Sequence, residues 1–260
     1  MVGDVSERIP TNLRTLLILE ELSRSNTPMT ASELGRAVGL AKQTVHRLCA
    51  TLEQEGFLAR IAPSKRYIAT RRVREMASGL LFSSNSQIAA HQILVDVARE
   101  VKETVNFVVP EDSGMRYLDR VETDWAFRVQ FPVGSNVPFH CTASGKTYLA
   151  SLAPRTRRSM VAGLELSKLT HRTHTNQDTL LRELKQISSQ GFALDNEEFI
   201  DGMVAIAVPV TDAEGRFAAA LAFHGPRQRI TPDGAINRLD PLLQGAKRIG
   251  KALFDSMDVS

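Results

Sequence analysis

Several kinds of residue are scarce in this chain, and each scarcity excludes a class of protein. Only two cysteines occur in 260 residues, Cys49 and Cys141, in different halves and within apolar patterns. They predict buried free thiols in a reducing cytoplasm and not a disulfide framework. The longest apolar run, 203–210, has eight residues, far fewer than the roughly 20 of a membrane-spanning helix. The first ten residues contain acidic side chains and no apolar stretch, so we expect no secretory signal.

The bulk composition is that of an ordinary globular protein. Hydrophobic residues make up 43% and charged residues 23% of the chain, which excludes a disordered or fibrous protein. A length of 260 residues allows two domains of ordinary size, each with its own core.

Positive charge is concentrated near the N-terminus. Residues 1–85 contain 12 lysines and arginines against eight acidic residues, a net charge of +4, whereas the remainder contains 20 against 21. Residues 42–74 alone contain eight lysines and arginines and two acidic residues. A nucleic-acid backbone favours such a local excess because binding releases counterions, although a solvated basic face has the same composition.

Residues 30–67 have the pattern of a winged helix-turn-helix. Thr30 and Glu33 form a capping-box sequence that begins a short helix, and Gly39 ends it. Apolar residues spaced three and four apart predict the next helix, which ends at Gly56. An additional helix with a broad apolar face is predicted before these two. The apolar positions that define the three helices are, in chain order, Leu13, Leu16, Leu17, Ile18, Leu19 and Leu22; the inward-facing Leu34, Ala37 and Val38; and Val45, Leu48, Cys49 and Leu52.

The start of the third helix and the hairpin after it carry the residues that we expect to contact DNA. The first turn of a recognition helix enters the major groove, where glutamine pairs with adenine and arginine with guanine. The hairpin turn at 63–65 would lay basic side chains along a neighbouring backbone or minor groove. The predicted contact residues are Lys42, Gln43, Thr44, His46 and Arg47 in the helix and Lys65 and Arg66 in the hairpin.

The rest of the chain predicts a second domain with an α+β fold. An amphipathic stretch at 71–82 predicts a linker helix, and a polar break follows it. Strand-like and helical patterns after the break indicate one antiparallel sheet with helices packed on it. We predict a DNA-binding domain at 8–70, a linker helix at 71–85 and a second domain at 86–258. The predicted strands are 105–109, 115–121, 126–131, 192–194, 203–211 and 216–224, and the predicted helices are 88–101, 180–190 and 236–253.

Three motifs have some features of enzyme or metal sites but lack a required residue. The triplet 145–147, Gly-Lys-Thr, matches the end of a phosphate-binding loop, but that loop needs a glycine where this chain has His140. Cys141 beside His140 makes no thiol-protease pair, because neighbours in a strand point to opposite faces. His171 and His174 have no third ligand at a metal spacing. We therefore expect no catalytic residue, metal or cofactor.

Four segments resemble the IclR family of bacterial transcription regulators, in the family's order. The recognition segment is GLAKQTVHRLCATLEQEGFLAR, and the others are VGSNVPFHCTASGKTYLA at 133–150, QGFALDNEEFIDGMVAIAVPV at 190–210 and LAFHGPRQRI at 221–230. The resemblance covers nearly the whole chain. It implies a winged helix-turn-helix domain joined to a GAF-like effector-binding domain, in a homodimer or homotetramer that binds double-stranded operator DNA.

The same resemblance implies a pocket for a small-molecule effector. Family members that bind very small keto acids tend to carry a cysteine at the position of Ala205 and serines at those of Ala222 and His224. This pocket is therefore expected to be less polar, with His224 as its charged or hydrogen-bonding anchor. We expect the effector to be a small organic acid, aldehyde or related catabolite other than glyoxylate. The residues carried over by motif are Ala126, Val129, Val137, Ala143, Ser144, Asp195, Ala205, Ala222 and His224, with Trp125 nearby.

The resulting interpretation is a cytoplasmic DNA-binding regulator, a repressor of a catabolic operon. Two alternatives stay open at this point. One is a small-molecule enzyme that carries a vestigial DNA-binding module. The other is a nucleoid-type DNA binder that has no effector.

Overall fold

The computed structural model describes residues 9–25, 27–81, 85–126, 129 and 131–254. The chain divides into two compact units, with the division between Leu80 and Leu81. None of the described helices is long and apolar enough to cross a membrane.

The first unit contains three helices, a hairpin and a fourth helix. The hairpin strands are antiparallel, with Leu58 opposite Ala69 and Ile61 opposite Arg66. The elements are α1 (Arg14–Arg24), α2 (Ala31–Val38), α3 (Lys42–Gln54), β1 (Leu58–Ile61), β2 (Arg66–Ala69) and α4 (Arg71–Leu81).

The beginning and end of α2 follow from the local sequence. Thr30 Oγ1 accepts a hydrogen bond from the backbone amide of Glu33 (3.2 Å), and Glu33 Oε2 accepts one from the amide of Thr30 (2.7 Å). Gly39 follows the helix with a φ of +67°, a left-handed conformation that glycine adopts without strain. The predicted capping box is therefore confirmed.

A small core lies between α1, α2, α3 and the hairpin. Tyr67 of β2 exchanges backbone hydrogen bonds with Met29, which adds a short third strand to the hairpin. The predicted inward position of Ala37 is wrong, because its side chain is exposed. The apolar face of α1 is wider than the surface that its neighbours cover, so Leu13 and Leu16 are 44% and 57% exposed. The buried residues are Ile18, Leu22, Ala31, Leu34, Val45, Cys49, Leu52, Leu58 and Tyr67.

Helix α4 is fastened to the base of the hairpin. Thr70 Oγ1 donates to the carbonyl oxygen of Gly56 (2.6 Å). The guanidinium of Arg72 donates to the carbonyl oxygen of Glu55 and lies 4.2 Å from the centre of the Phe57 ring. The predicted linker helix begins at the residue that the sequence indicates. Of the polar break predicted at 83–86, residues 83 and 84 lie outside the described part of the chain, and the prediction is wrong for Asn85 and Ser86, which belong to the next helix.

The second unit is built on a six-stranded sheet in the order β5-β4-β3-β8-β7-β6. Every neighbouring pair of strands is antiparallel, which confirms the α+β fold. Its elements are α5 (Asn85–Val101), β3 (Thr104–Pro110), β4 (Met115–Val121), β5 (Asn136–Val137), α6 (Ala143–Ser151), α7 (Pro154–Ala162), α8 (Gln177–Gln190), β6 (Ala193–Asn196), β7 (Met203–Thr211), β8 (Phe217–Pro226), α9 (Pro232–Ile236) and α10 (Leu239–Phe254).

The two faces of the sheet differ in the size of their side chains. On one face, large apolar residues such as Phe107, Leu221 and Ile206 pack against α5 and α10. On the other face, Ala205, Ala207 and Ala222 occupy neighbouring positions on β7 and β8 and pack against Ala143 at the start of α6. We call these three strand residues the alanine floor. Small side chains here leave room between the sheet and α6, and that space is where the candidate site lies.

The sequence predictions fail where the chain is irregular. The strand predicted at 126–131 is absent at Ala126, Val129 and Phe131, and its other three residues lie outside the described part of the chain. The two-residue strand β5 and the helices α7 and α9 were not predicted, because short elements give too few residues to show a period.

Candidate functional site

The start of α3 presents the predicted DNA-contacting residues at the surface. Lys42, Gln43, His46 and Arg47 are exposed, and Thr44 is half-buried. Ala41, the residue before the helix, makes no side-chain hydrogen bond to it. The first amides of α3 therefore remain available to an anionic group such as a DNA phosphate. This surface has the chemistry of a recognition helix.

The two basic residues of the hairpin have different environments. Lys65 is exposed at the turn, with a φ of +52°. Arg66 is already engaged: Nη1 donates to the carbonyl oxygen of Pro28 (2.7 Å), and the guanidinium makes two bonds to Glu33. The hydrogen bond from the Thr30 amide lowers the pKa of Glu33, and Arg66 adds to this effect. Lys65 is therefore accessible to a DNA phosphate, whereas Arg66 holds the hairpin against Pro28 and Glu33.

A small cavity lies above the alanine floor in the second unit, with a volume of about 20 Å³. By this measure it has room for about one water molecule. Six residues that the sequence analysis assigned to an effector pocket line it together, and six further residues were not predicted. The first group is Ala143, Ser144, Asp195, Ala205, Ala222 and His224, and the second is Asn106, Tyr117, Thr142, Phe199, Met203 and Phe223.

The other three predicted pocket residues lie elsewhere. Ala126 is exposed, and Val137 is buried in the core between the sheet and α6–α8, so neither lines the cavity. Val129 is not in the lining either, but its carbonyl oxygen lies 3.2 Å from Nε2 of His224, which is. Trp125 lies outside the cavity and donates from Nε1 to the carbonyl oxygen of Lys102 (3.2 Å).

The ring of Phe131 contacts three of the residues that line the cavity. Phe131 stacks on Tyr117 with 5.8 Å between ring centres and meets Phe199 at 5.6 Å. The same ring lies edge-on to His224 at 6.0 Å. The segment that carries Phe131 was predicted as a strand, so sequence alone gave no signal for this arrangement.

Asp195 at the end of β6 is the buried carboxyl group of the cavity. Its Oδ1 accepts hydrogen bonds from the amides of Glu198 (2.8 Å) and Phe199 (3.3 Å). Its Oδ2 has no hydrogen-bond partner among the described residues. Burial, and then the nearby charge of Glu198, raise the pKa of Asp195 to about 7, against the opposing effect of Lys146. This carboxyl group can therefore be neutral near physiological pH.

The N-terminus of α6 also contributes to the lining of the cavity. Thr142 caps the helix by accepting a hydrogen bond from the amide of Gly145 (3.1 Å). The amides of Ala143 and Ser144 belong to the first turn and have no carbonyl partner within the helix. A Cβ atom at Gly145 would lie 2.4 Å from the carbonyl oxygen of Phe139, so only glycine fits there. These amides and the helix dipole favour a bound carboxylate.

His224 does not act as the charged anchor that the sequence suggested. It is fully buried, and burial lowers its pKa to about 4. Both ring nitrogens are engaged, Nε2 with the carbonyl oxygen of Val129 and Nδ1 with Asn106 Nδ2 (3.0 Å). A neutral imidazole held at both nitrogens positions its neighbours and offers no charge to a ligand.

A buried ionic cluster lies behind Asp195. Lys146 is completely buried, and its Nζ donates to Glu183 Oε1 (2.7 Å) and Glu198 Oε1 (2.5 Å). Glu183 also bonds to His174 Nε2. The charges of Glu198 and Glu183 raise the pKa of Lys146 despite its burial. The Gly-Lys-Thr triplet thus has structural uses: its glycine admits a close backbone contact and its lysine neutralises two glutamates.

The same cluster includes a potential set of metal ligands, which the sequence analysis did not find. One ligand atom from each of His174, Glu183 and Glu198 lies within 4.8 Å of the others. The ammonium group of Lys146 already contacts both carboxylates. A divalent cation would have to compete with this charge, so the geometry fits an internal ion pair better than a metal centre.

Cys141 and His140 have the environment of structural residues. Burial raises the pKa of the Cys141 thiol to about 12, which keeps it protonated and unreactive. His140 lies with Nε2 3.0 Å from the carbonyl oxygen of Ser167. The two side chains therefore lack the activated thiolate that nucleophilic catalysis needs.

Comparison with known proteins matches both units to one family. The model of the IclR helix-turn-helix domain matches residues 13–62, and that of the bacterial transcriptional regulator IclR C-terminal domain matches 81–251. The chain is 38% identical to the probable transcriptional regulator SauR of Cupriavidus necator, over 94% of this chain and 96% of that protein. It is 28% identical to the acetate operon repressor of Salmonella typhimurium, over 94% of this chain and 90% of that protein. The crystal structure of Thermotoga maritima IclR superposes with a TM-score of 0.62 at 28% identity, over 94% and 98% of the two chains.

Proposed function

This chain belongs to the IclR family of DNA-binding bacterial transcriptional regulators, and from that premise we propose that it represses a catabolic operon until a small organic acid or related catabolite binds its second domain. The similarity to an acetate operon repressor supports the repressor and catabolic parts of this proposal. A regulator of this kind works in the cytoplasm, where two reduced, buried cysteines are stable.

The observation that carries effector control is the buried carboxyl group of Asp195 in the cavity that the N-terminus of α6 also lines. Its Oδ2 has no partner among the described residues, and Asp195 is one of the residues that line the cavity. A buried polar atom that makes no hydrogen bond destabilises the folded protein. A ligand that formed a hydrogen bond with this oxygen would therefore bind more tightly. The amides of Ala143 and Ser144 supply the complementary site for a carboxylate.

The cavity has room for about one water molecule, so an effector would have to widen it on binding, and a compact molecule requires the least widening. The alanine floor offers methyl groups and no hydrogen-bond donors, so the ligand's carbon skeleton would lie there and its polar groups would face α6 and Asp195. This division favours a short organic acid or an oxidised relative of one, and it differs from the more polar pocket expected for glyoxylate.

A homodimer, or a homotetramer made of two such dimers, would present paired recognition helices to a partly palindromic operator. The exposed Leu13 and Leu16 at the start of α1 support association through this part of the chain. Effector binding would alter the pairing, and a coupling free energy of about 1–3 kcal/mol is the usual range for such control.

Binding of the protein to the DNA upstream of its own gene tests the proposal directly. Fluorescence anisotropy with labelled duplex, titrated with a panel of two- to four-carbon acids and semialdehydes, should show specific binding that one compound weakens. Asp195→Ala should lose this response while keeping wild-type operator affinity. Equal affinity for operator and random duplex at physiological salt would contradict operator recognition and would favour a nucleoid-type binder.

A further inference from the structure

Asn106 is a buried polar residue of the cavity wall to which neither the sequence nor the family resemblance assigns a part. It lies on β3, opposite Ala222 of β8, and is 1% exposed. Its side chain therefore shares the face of the sheet that carries the alanine floor. What Asn106 offers a ligand depends on which end of its amide points into the cavity.

The surrounding hydrogen bonds fix that orientation. The carbonyl oxygen of Val129 can only accept, so His224 Nε2, 3.2 Å away, must carry a proton. Since burial keeps His224 neutral, its Nδ1 is then an acceptor. Asn106 must present its NH₂ group to Nδ1, at 3.0 Å, and its Oδ1 must point away from the histidine.

Asn106 Oδ1 is thereby an acceptor of fixed orientation in the cavity wall. It has no hydrogen-bond partner within the described part of the chain. The same is true of Asp195 Oδ2, and both residues line the same cavity. Of these two oxygens, Asn106 Oδ1 can only accept a hydrogen bond, so a ligand that donates one to it is favoured over a ligand that cannot.

We propose that Asn106 selects effectors that carry a hydrogen-bond donor, a hydroxyl or amino group on a short carboxylic acid, over the corresponding oxo acids, and that Val129 and His224 act as positioning residues for it. The inference rests on the proposed effector pocket and names the class of its ligand. The ligand's carboxylate lies at the N-terminus of α6, and its donor reaches Asn106 Oδ1.

A hydroxyl group suits both oxygens better than a carbonyl group does. When Asp195 is neutral its Oδ2 donates, and a hydroxyl can accept from it while donating to Asn106. A carbonyl oxygen can accept from Asp195 but leaves Asn106 unpaired in a buried site. Sites that hydrogen-bond a ligand's hydroxyl discriminate strongly against analogues that lack it, for this reason.

Matched sets of acids provide the test. Each set contains an unsubstituted, an oxo and a hydroxy acid of one length: acetate, glyoxylate and glycolate; propionate, pyruvate and lactate; butyrate, succinate semialdehyde and 4-hydroxybutyrate. Glycine and alanine add the amino members. Calorimetric titration of the full-length protein should rank the donor-bearing member of the best-bound set at least about tenfold tighter than its oxo partner.

Variants separate selection from general packing. Asn106→Leu should bring the hydroxy-to-oxo affinity ratio to within about twofold of unity. His224→Phe should lower the same ratio, and the double variant should lower it no further, because His224 acts through Asn106. Asn196→Leu, which removes an amide on β6 outside the cavity, should leave the ratio unchanged.

The outcomes distinguish this inference from the proposed function. Binding of acids in which the oxo member is equal to or tighter than the hydroxy and amino members would overturn the role of Asn106 and leave the effector pocket intact. A hydroxy-to-oxo affinity ratio in Asn106→Leu equal to that of the wild type would also overturn the role of Asn106. Failure of every acid to bind or to alter operator affinity would overturn both. The wild-type ranking decides the question even if a variant fails to fold.

Discussion

Arg66 of the hairpin and Glu33 of α2 form a two-pronged ion pair, with Nη1 2.9 Å from Oε2 and Nη2 3.1 Å from Oε1. Oε2 of the same carboxylate accepts the capping hydrogen bond from Thr30. One glutamate thus begins α2 and holds the hairpin beside that helix.

The two basic residues of the hairpin should therefore respond differently to alanine. Lys65→Ala should weaken binding to all DNA sequences alike and reduce the slope of log affinity against log salt by about one, as expected for loss of a phosphate contact. Arg66→Ala should instead lower the melting temperature of the protein by a few degrees. Salt titrations of both variants and thermal unfolding check this. A large change in salt slope for Arg66→Ala at unchanged stability would show that Arg66 contacts DNA.

Arg47 should contribute directly to sequence recognition. Its side chain is exposed near the start of α3, one turn from the N-terminus of the helix. Arg47→Ala should cost about 1–3 kcal/mol of operator affinity if the guanidinium contacts a base. Gln54→Ala, on the last residue of the same helix, serves as the matched control and should bind as the wild type does. Equal anisotropy curves for Arg47→Ala and wild type would exclude the role.

Effector binding should weaken as the pH rises through about 7. Asp195 has its pKa raised to about 7, so it is neutral below that pH and ionised above it. An ionised Asp195 repels an anionic ligand, and the affinity should fall by up to about tenfold per pH unit above 7. His224 adds no titration there, since its pKa is lowered to about 4.

Asp195→Asn is the control for that pH dependence. The amide oxygen can keep the two hydrogen bonds from the amides of Glu198 and Phe199, while the titrating proton is removed. Ligand affinity of this variant, measured from pH 6 to pH 8.5, should stay level. A slope equal to that of the wild type would assign the titration to another group.

Removal of the cation from the buried ionic cluster should lower the free energy of unfolding of the protein. Lys146→Met leaves the buried Glu198 without its counter-charge and the half-buried Glu183 with His174 as its remaining partner, and breaking a buried pair costs about 3–5 kcal/mol. Urea unfolding of the full chain should show this loss, and Glu183→Gln with Glu198→Gln should recover much of it in the Lys146→Met background. Lys185→Met, on the exposed side of α8, should change stability little.

The helices and caps of the first unit could be predicted because their signals are close together in the sequence. Thr30 and Glu33 are three residues apart, and the residues that fix the length of α2 lie within one segment. The exposed position of Ala37 could not be read from the same pattern, since the side of α2 that is covered depends on how α1 and α3 pack around it.

The polar groups of the pocket could be predicted only in part. Asp195 and the alanines followed from a family resemblance. Asn106 could not be predicted, because the orientation of its side-chain amide depends on a hydrogen bond to His224, a residue 118 positions away. Val129 was predicted to line the pocket, yet its contribution is a carbonyl oxygen that lies 3.2 Å from His224 Nε2, and its segment was predicted as a strand.

The alanine floor bears on how such proteins diversify. Its three residues lie on β7 and β8, central strands whose backbones are hydrogen-bonded on both sides. An exchange of one methyl group for a hydroxyl, a thiol or a larger alkyl group would therefore reshape the ligand space without disturbing the ladder beneath it. If the proposed effector site is correct, single substitutions here would change the metabolite that is sensed while the DNA-binding domain, encoded far away in the gene, stays the same.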